Sequence, residues 1–146
     1  MKGIVLVDQT EATVRFSEVD AMGIVWHGNF VKYMEDGRES FGRKYGLGYY
    51  DLYEKGLLVP LVKLEIDYKQ QLKYGEQILI ETTWQNCDAA KIIFKYRILR
   101  KTDHAVLMTA KTIQIFLNKK GELEISNPEF YLEWKMQNGI EEGFSL

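Results

Sequence analysis

The chain has 146 residues, 46% hydrophobic and 27% charged, with a formal net charge of −2. That length and balance fit one domain, residues 1–146, able to bury a sizeable core; they hold no apolar run long enough for a membrane-spanning helix and give no whole-chain argument for nucleic-acid binding. A lone cysteine, Cys87, excludes an internal disulfide and a thiolate metal cluster, and the apolar run from Ile4 to Val7 stops at Asp8, too short for a secretory signal, so a cytoplasmic location is expected.

The first predicted element is a strand. From Thr10 to Phe16, Ala12, Val14 and Phe16 alternate with Glu11, Thr13 and Arg15, the period of a half-buried strand. Gly23 then predicts a tight turn. A helix is predicted to start near His27–Asn29, with Asn29 as its N-cap. Phe30, Tyr33, Met34, Gly37, Phe41 and Tyr45 recur at steps of three or four and form one apolar stripe. Glu39 and Arg43 stand one turn apart, where opposite charges pair. Gly37 on the stripe lowers helix propensity and points to close approach by another backbone. Gly46 and Gly48 end the helix.

A tyrosine-rich connector with a short helical turn runs from Tyr49 to Gly56. Four strands follow: Leu58–Tyr68, Glu76–Trp84, Lys91–Lys101 and Ala105–Leu117. In the first, Pro60, Val62, Leu64, Ile66 and Tyr68 share a face, and Pro60 suits a strand start or an edge. Ile78, Ile80, Thr82 and Trp84 form a face of the second. Ile92, Phe94, Tyr96 and Ile98 form a face of the third. A short terminal helix is predicted over Pro128–Met136, and Gly139–Leu146 as a frayed end. One strand, a long helix, then four strands on short turns show no βαβ alternation. The fold class is α+β, an antiparallel sheet wrapped around a buried central helix.

The stretch from Glu18 to Phe41 carries the chemistry. Asp20 lies in a loop just before a helix start, and the first amides of a helix have no internal partners. An acid beside such amides is half of an acyl-transfer site; N–H groups aimed at developing negative charge are the other half. A thioester suits the pair. Its thiol leaving group has a pKa of about 8.5 and departs without a strong acid. A carboxylate can then activate water or attack directly.

Arg15-Phe16, Asp20, Gly23-Ile24-Val25, His27, Asn29-Phe30, Tyr33 and Glu35 together resemble the pattern of the hotdog-fold 4-hydroxybenzoyl-CoA thioesterase-like family. The resemblance implies hydrolysis of an acyl-CoA thioester without cofactor or metal, in a homodimer or homotetramer with sites near subunit interfaces. It carries the catalytic carboxylate to Asp20 and the oxyanion N–H to the backbone of His27. The family's helix acid appears as Glu35. Val59 stands where the hydroxybenzoyl-specific members have threonine, which argues against that substrate. The histidine of the hotdog dehydratases is followed by prolines, and His27-Gly28-Asn29 has none.

Each candidate has a simpler role beside the catalytic one. A loop aspartate such as Asp20 commonly caps a turn. The ring of His27 is a polar group at a helix start, although its pKa range would suit acid–base work. Glu35 lies beside Arg38 on one helix flank, as a surface ion pair or as a pocket residue. Glu18 reads as a solvated strand-end charge. Lys91, Lys95, Arg97 and Lys101 share a strand face that could hold the phosphates of coenzyme A, or simply be solvated. Trp26, Trp84 and the tyrosines near Tyr49-Tyr50 suit an acyl pocket or the core. Cys87 lacks a local base, and His27 and His104 show no metal-ligand spacing. Two other functions fit the same scaffold: a hydratase or lyase, and a non-catalytic module binding acyl-CoA or acyl-carrier protein.

Overall fold

The computed structural model describes residues 5–140. Its elements are β1 (Leu6–Thr13), α1 (Asn29–Tyr45), α2 (Tyr49–Glu54), β2 (Leu57–Leu58), β3 (Leu61–Tyr68), β4 (Gln77–Gln85), β5 (Lys91–Arg100), β6 (Val106–Ile115), β7 (Leu117–Asn118) and α3 (Glu129–Gln137). Five strands form one antiparallel sheet in the order β1-β4-β5-β6-β3, and β2 pairs with β7 apart from it. The α+β class and the wrapped central helix are as the sequence predicts.

The apolar stripe of α1 faces the sheet. Phe30, Tyr33, Met34 and Phe41 are buried against Ile78, Ile80, Trp84, Phe94, Tyr96 and Ile98. Phe41 meets Phe94 edge to face at 5.0 Å between ring centroids. Each large apolar side chain buried this way contributes about 1.5–3 kcal/mol. Gly37 is the point of closest approach. A Cβ there would stand 2.5 Å from Thr82 Oγ1 and 2.7 Å from Ile80 Cγ2. The neighbours are side chains of β4 rather than the expected backbone. Backbone does meet backbone at Gly42, where a Cβ would lie 2.7 Å from the Cα of Gly48. Gly46 ends α1 in the left-handed conformation at φ 72°.

Several boundaries differ from expectation. The first strand covers Leu6–Thr13, not Thr10–Phe16. Phe16 opens a 3-10 turn and is exposed, edge-on to Tyr74 at 5.8 Å. Alternation persisted in the sequence past the point where β4 stops offering a partner, since Thr13 already pairs with Gln77. Asn29 is not the N-cap. Gly28 takes that place, and the Asn29 amide instead donates to the Glu18 carbonyl at 2.8 Å. Pro60, which has no N–H for a ladder, separates β2 from β3. β3 is an edge strand with no buried residue, and its register slips between Leu61 and Lys63. Its expected apolar face is therefore largely uncovered. The long last strand is likewise two, β6 and β7, parted at buried Phe116.

The terminal helix forms one residue later than expected and packs inward. Trp134 donates to the Tyr45 carbonyl at 2.6 Å, and Tyr131 accepts from Trp84 at 2.9 Å. Of the expected frayed end, Ile140 is buried. Residues 141–146 and 1–4, the latter including Ile4 of the initial apolar run, lie outside the described residues. No helix among the described residues is long and apolar enough to cross a membrane.

Candidate active site

The loop carrying Asp20 is a small hairpin held at both sides. Val19 bridges Val25, the Asp20 N–H donates to the Ile24 carbonyl at 2.8 Å, and Gly23 turns at φ 79° to donate to the Asp20 carbonyl at 2.9 Å. Ile24 bridges Lys73, and the Val25 N–H reaches the Leu72 carbonyl at 2.7 Å. The half-buried Asp20 carboxylate accepts the Met22 N–H at 2.8 Å. It thus caps its own turn, and that bond leaves further acceptor positions on the carboxylate.

The chain then enters α1. The Trp26 N–H donates to the Glu18 carbonyl at 3.0 Å, and the Asn29 N–H to the Trp26 carbonyl at 2.8 Å. Between them, the N–H groups of His27 and Gly28 meet no protein acceptor among the described residues. The exposed Trp26 ring lies over Gly28, where any Cβ would strike it. The His27 ring is exposed, 4.9 Å from the Trp26 ring. The His27 carbonyl accepts the Tyr68 hydroxyl at 2.9 Å. His27, Phe30, Tyr68, Ile24 and Leu72 line an open hollow of about 280 Å³. Asp20 is not among its lining residues, although its loop forms one wall.

Glu18 is no solvated charge. It accepts the Tyr33 hydroxyl at 2.7 Å and the Arg15 N–H at 2.8 Å. Burial, and then this bond to a carboxylate, push the Tyr33 phenol far above its ordinary value of 10. Glu18 therefore ties the Asp20 hairpin to α1.

The expected Glu35–Arg38 ion pair does not form. Glu35 is exposed and accepts the Tyr49 hydroxyl at 3.4 Å. Arg38 is only 2% exposed. Its Nε donates to Gln114 Oε1 at 3.1 Å and its Nη1 to the Leu47 carbonyl at 2.8 Å. Its plane sits 4.8 Å from the rings of both Tyr49 and Phe94. Burial lowers the guanidinium pKa from its ordinary value. Arg38 is the functional candidate that sequence reasoning passed over. It lies four residues after Met34 and three before Phe41, a spacing that already placed it beside the apolar stripe.

Val59 is buried at the rim of a groove of about 820 Å³ formed by the end of α1, α2 and β2, with Tyr49, Tyr50 and Tyr53 around it. Its carbonyl accepts from Gln114 at 2.8 Å. The cations of β5 divide. Arg97 grips Glu81 through two bonds, at 2.7 and 3.3 Å, and Lys101 meets Glu11 at 2.9 Å. Lys95 is exposed, with Lys111 as its cross-strand neighbour, and Lys91 is half-buried at the strand start. Trp84 belongs to the core and Trp26 to the surface. Cys87 Sγ lies 3.5 Å from the Ala89 carbonyl. Among the described residues no group of three metal-ligating side chains gathers.

A five-stranded antiparallel sheet around one helix, with an acid-bearing hairpin docked at the helix start, is the architecture of the hotdog fold. The chain belongs to the thioesterase-like superfamily, whose family model matches residues 14–135. It is 31% identical over 128 residues to the "Putative acyl-CoA thioesterase YneP" of Bacillus subtilis (strain 168), covering 88% of this chain and 92% of that one. Among solved structures it is similar to a DHNA-CoA thioesterase from Staphylococcus aureus, with a TM-score of 0.80 and 24% identity over 91% of this chain and 89% of the other. It is also similar to the 4-hydroxybenzoyl-CoA thioesterase of Pseudomonas sp. strain CBS-3, with a TM-score of 0.75 and 23% identity over 88% and 98% of the two chains. At those identities the two structures establish the fold.

Proposed function

We propose that the protein hydrolyses an acyl-CoA thioester to the free acid and coenzyme A, with Asp20 as general base or nucleophile and backbone N–H groups at the start of α1 as the oxyanion hole. The observation that carries this reading is the pair of N–H groups, His27 and Gly28, left without a protein acceptor beside a hollow open to solvent. A carbonyl oxygen that gains negative charge there is stabilised by donors fixed in advance. Relatives named as acyl-CoA thioesterases support the substrate class.

Asp20 stands outside the hollow that His27 lines. This supports a site completed by a second copy of the chain, and we read the assembly as at least a dimer. Edge strand β3, with Leu61, Val62, Leu64 and Tyr68 exposed, is the surface that such a copy would cover. In this reading Lys91 and Lys95 remain for the phosphates of coenzyme A, Arg97 being held by Glu81. Val59 and Glu35 border the acyl group. The chain is one domain, acting in the cytoplasm.

The test is thiol release from a panel of acyl-CoAs, with Asp20→Asn measured beside wild type. A positioned general base contributes about 10²–10⁴-fold, so kcat should fall by that factor while the fold persists. Equal rates for the two proteins would overturn the role of Asp20. No thiol release from any acyl-CoA would overturn hydrolysis itself and leave a hydratase, a lyase or a binding module.

A further inference from the structure

A buried guanidinium is costly unless each of its donors is satisfied. Arg38 has no carboxylate within 4.0 Å among the described residues, and its Nη2 has no hydrogen-bond partner. Beside it lies a cavity of about 20 Å³, bordered by Glu35, Tyr49 and Gln114 and by Leu61 and Leu64 of β3. That space holds about one oxygen-sized atom.

The cavity and the hollow at His27 share no lining residue, but α1 and β3 border both. Val31, Met34, Glu35 and Arg38 follow one another at helical spacing along a single flank of α1, and His27 just precedes the helix on that side. Tyr68 of β3 bonds the His27 carbonyl at one end, while Leu64 and Leu61 border the cavity at the other. At 1.5 Å per residue α1 runs about 14 Å from Asn29 to Arg38. An acyl chain whose carbonyl sits at the helix start would lie along this flank, between α1 and β3.

The charges at the far end select what the chain ends in. Arg38 Nη2 needs an acceptor. Glu35, hydrogen-bonded to Tyr49 at the rim, repels an anion but accepts a proton donor. A hydroxyl answers both, accepting from Arg38 and donating to Glu35. A methyl answers neither, and a carboxylate faces Glu35. Resting on the thioesterase reading above, we propose that this cavity is a subsite for a terminal hydroxyl, so that the preferred substrates are acyl thioesters of extended chains hydroxylated at the end remote from the thioester.

The test compares kcat/KM for a graded series of straight-chain acyl-CoAs with their terminal-hydroxy and terminal-carboxy counterparts. At one chain length the hydroxyl should raise kcat/KM about tenfold, the scale of one hydrogen bond to a charged group, and the carboxylate should not. Arg38→Met should bring the hydroxy-to-plain ratio to near one, and a ratio taken within one variant cancels any loss of folded protein. Should that variant fail to fold, Glu35→Ala at an exposed position should lower the same ratio and improve the carboxylates. No hydroxyl preference in wild type at any length, or a carboxylate preference, would overturn the subsite. If no acyl-CoA is cleaved, calorimetric binding of the free hydroxy and plain acids reads the subsite alone: tighter binding of the hydroxy acid retains it while hydrolysis fails, and equal or absent binding overturns it.

Discussion

At the scale of single residues, the backbone and the ring of His27 are separable. The proposed oxyanion donor is a main-chain N–H, which alanine retains and proline lacks. His27→Ala should therefore lower kcat by less than about tenfold, whereas His27→Pro should lose about 10²-fold or more, the scale of one missing oxyanion donor. Steady-state rates with circular dichroism on both variants check this. An Ala variant as inactive as Asp20→Asn would assign the chemistry to the ring. Glu18 makes a different kind of contribution. It holds the Asp20 hairpin to α1 through Tyr33, so Tyr33→Phe should shift the placement of Asp20 without touching substrate. Because the phenol is deprotonated only far above its ordinary 10, the effect of Tyr33→Phe should not change across the neutral pH range.

At the scale of elements, α1 is fixed by what it cannot accommodate. Gly37 lies against Thr82 and Ile80, and overpacking a core contact costs about 1–3 kcal/mol. Gly37→Leu should lower stability by at least that much in urea denaturation. A variant as stable as wild type would show that α1 can lift from β4 freely. The outer face of α1 carries an acidic strain. Burial, then Glu39, raise the Asp36 pKa above its ordinary 3.8. A carboxyl with a raised folded value binds more protons folded than unfolded, so the stability tied to it is complete below 3.8 and is lost as pH rises through the raised value. Asp36→Asn should therefore raise Tm at neutral pH and change nothing below pH 3.8. The group is largely solvated, which keeps the gain under about 1 kcal/mol. Thermal melts at the two pH values measure the difference.

At the scale of the whole molecule, the two edges of the sheet are treated differently. At the β1 edge one main-chain acceptor is taken up, since Lys44 and Tyr45 both donate to the Val7 carbonyl, at 3.2 and 3.0 Å. The β3 edge has no partner strand, and its exposed Val62 and Leu64, at 55% and 39% exposure, alternate with the charged Lys63, Glu65 and Asp67. Uncovered edges of this kind pair with another chain. Light scattering at micromolar concentration should give at least a dimer mass, and Val62→Lys with Leu64→Lys should reduce it to the monomer. A wild-type monomer would remove the shared site from the proposed mechanism. A dimer unchanged by the two lysines would move the interface away from β3.

The sequence by itself determined the α+β class, the central helix and its buried face, because burial imposes periodicity on the chain: Phe30, Tyr33, Met34 and Phe41 at helical steps, Ile78, Ile80, Thr82 and Trp84 at alternate positions. It also determined the turn at Gly23 and the C-terminal end of α1 at Gly46, where local backbone chemistry leaves few choices. Only the tertiary structure decided which of those elements are covered. β3 alternates like an inner strand yet lies at the edge, since alternation records the two faces of a strand and not the neighbours on either side of it. Tertiary structure also decided the fate of the charges. Glu18, Glu35, Arg38 and Arg97 are all charged residues whose partners the sequence does not name. Glu18 is bonded to Tyr33, Glu35 to Tyr49 and Arg97 to Glu81, while Arg38 is enclosed with one donor unanswered. A charge is paired, solvated or stranded according to what residues distant in sequence bring within about 3 Å of it, and that distance is fixed only when the sheet closes over the helix.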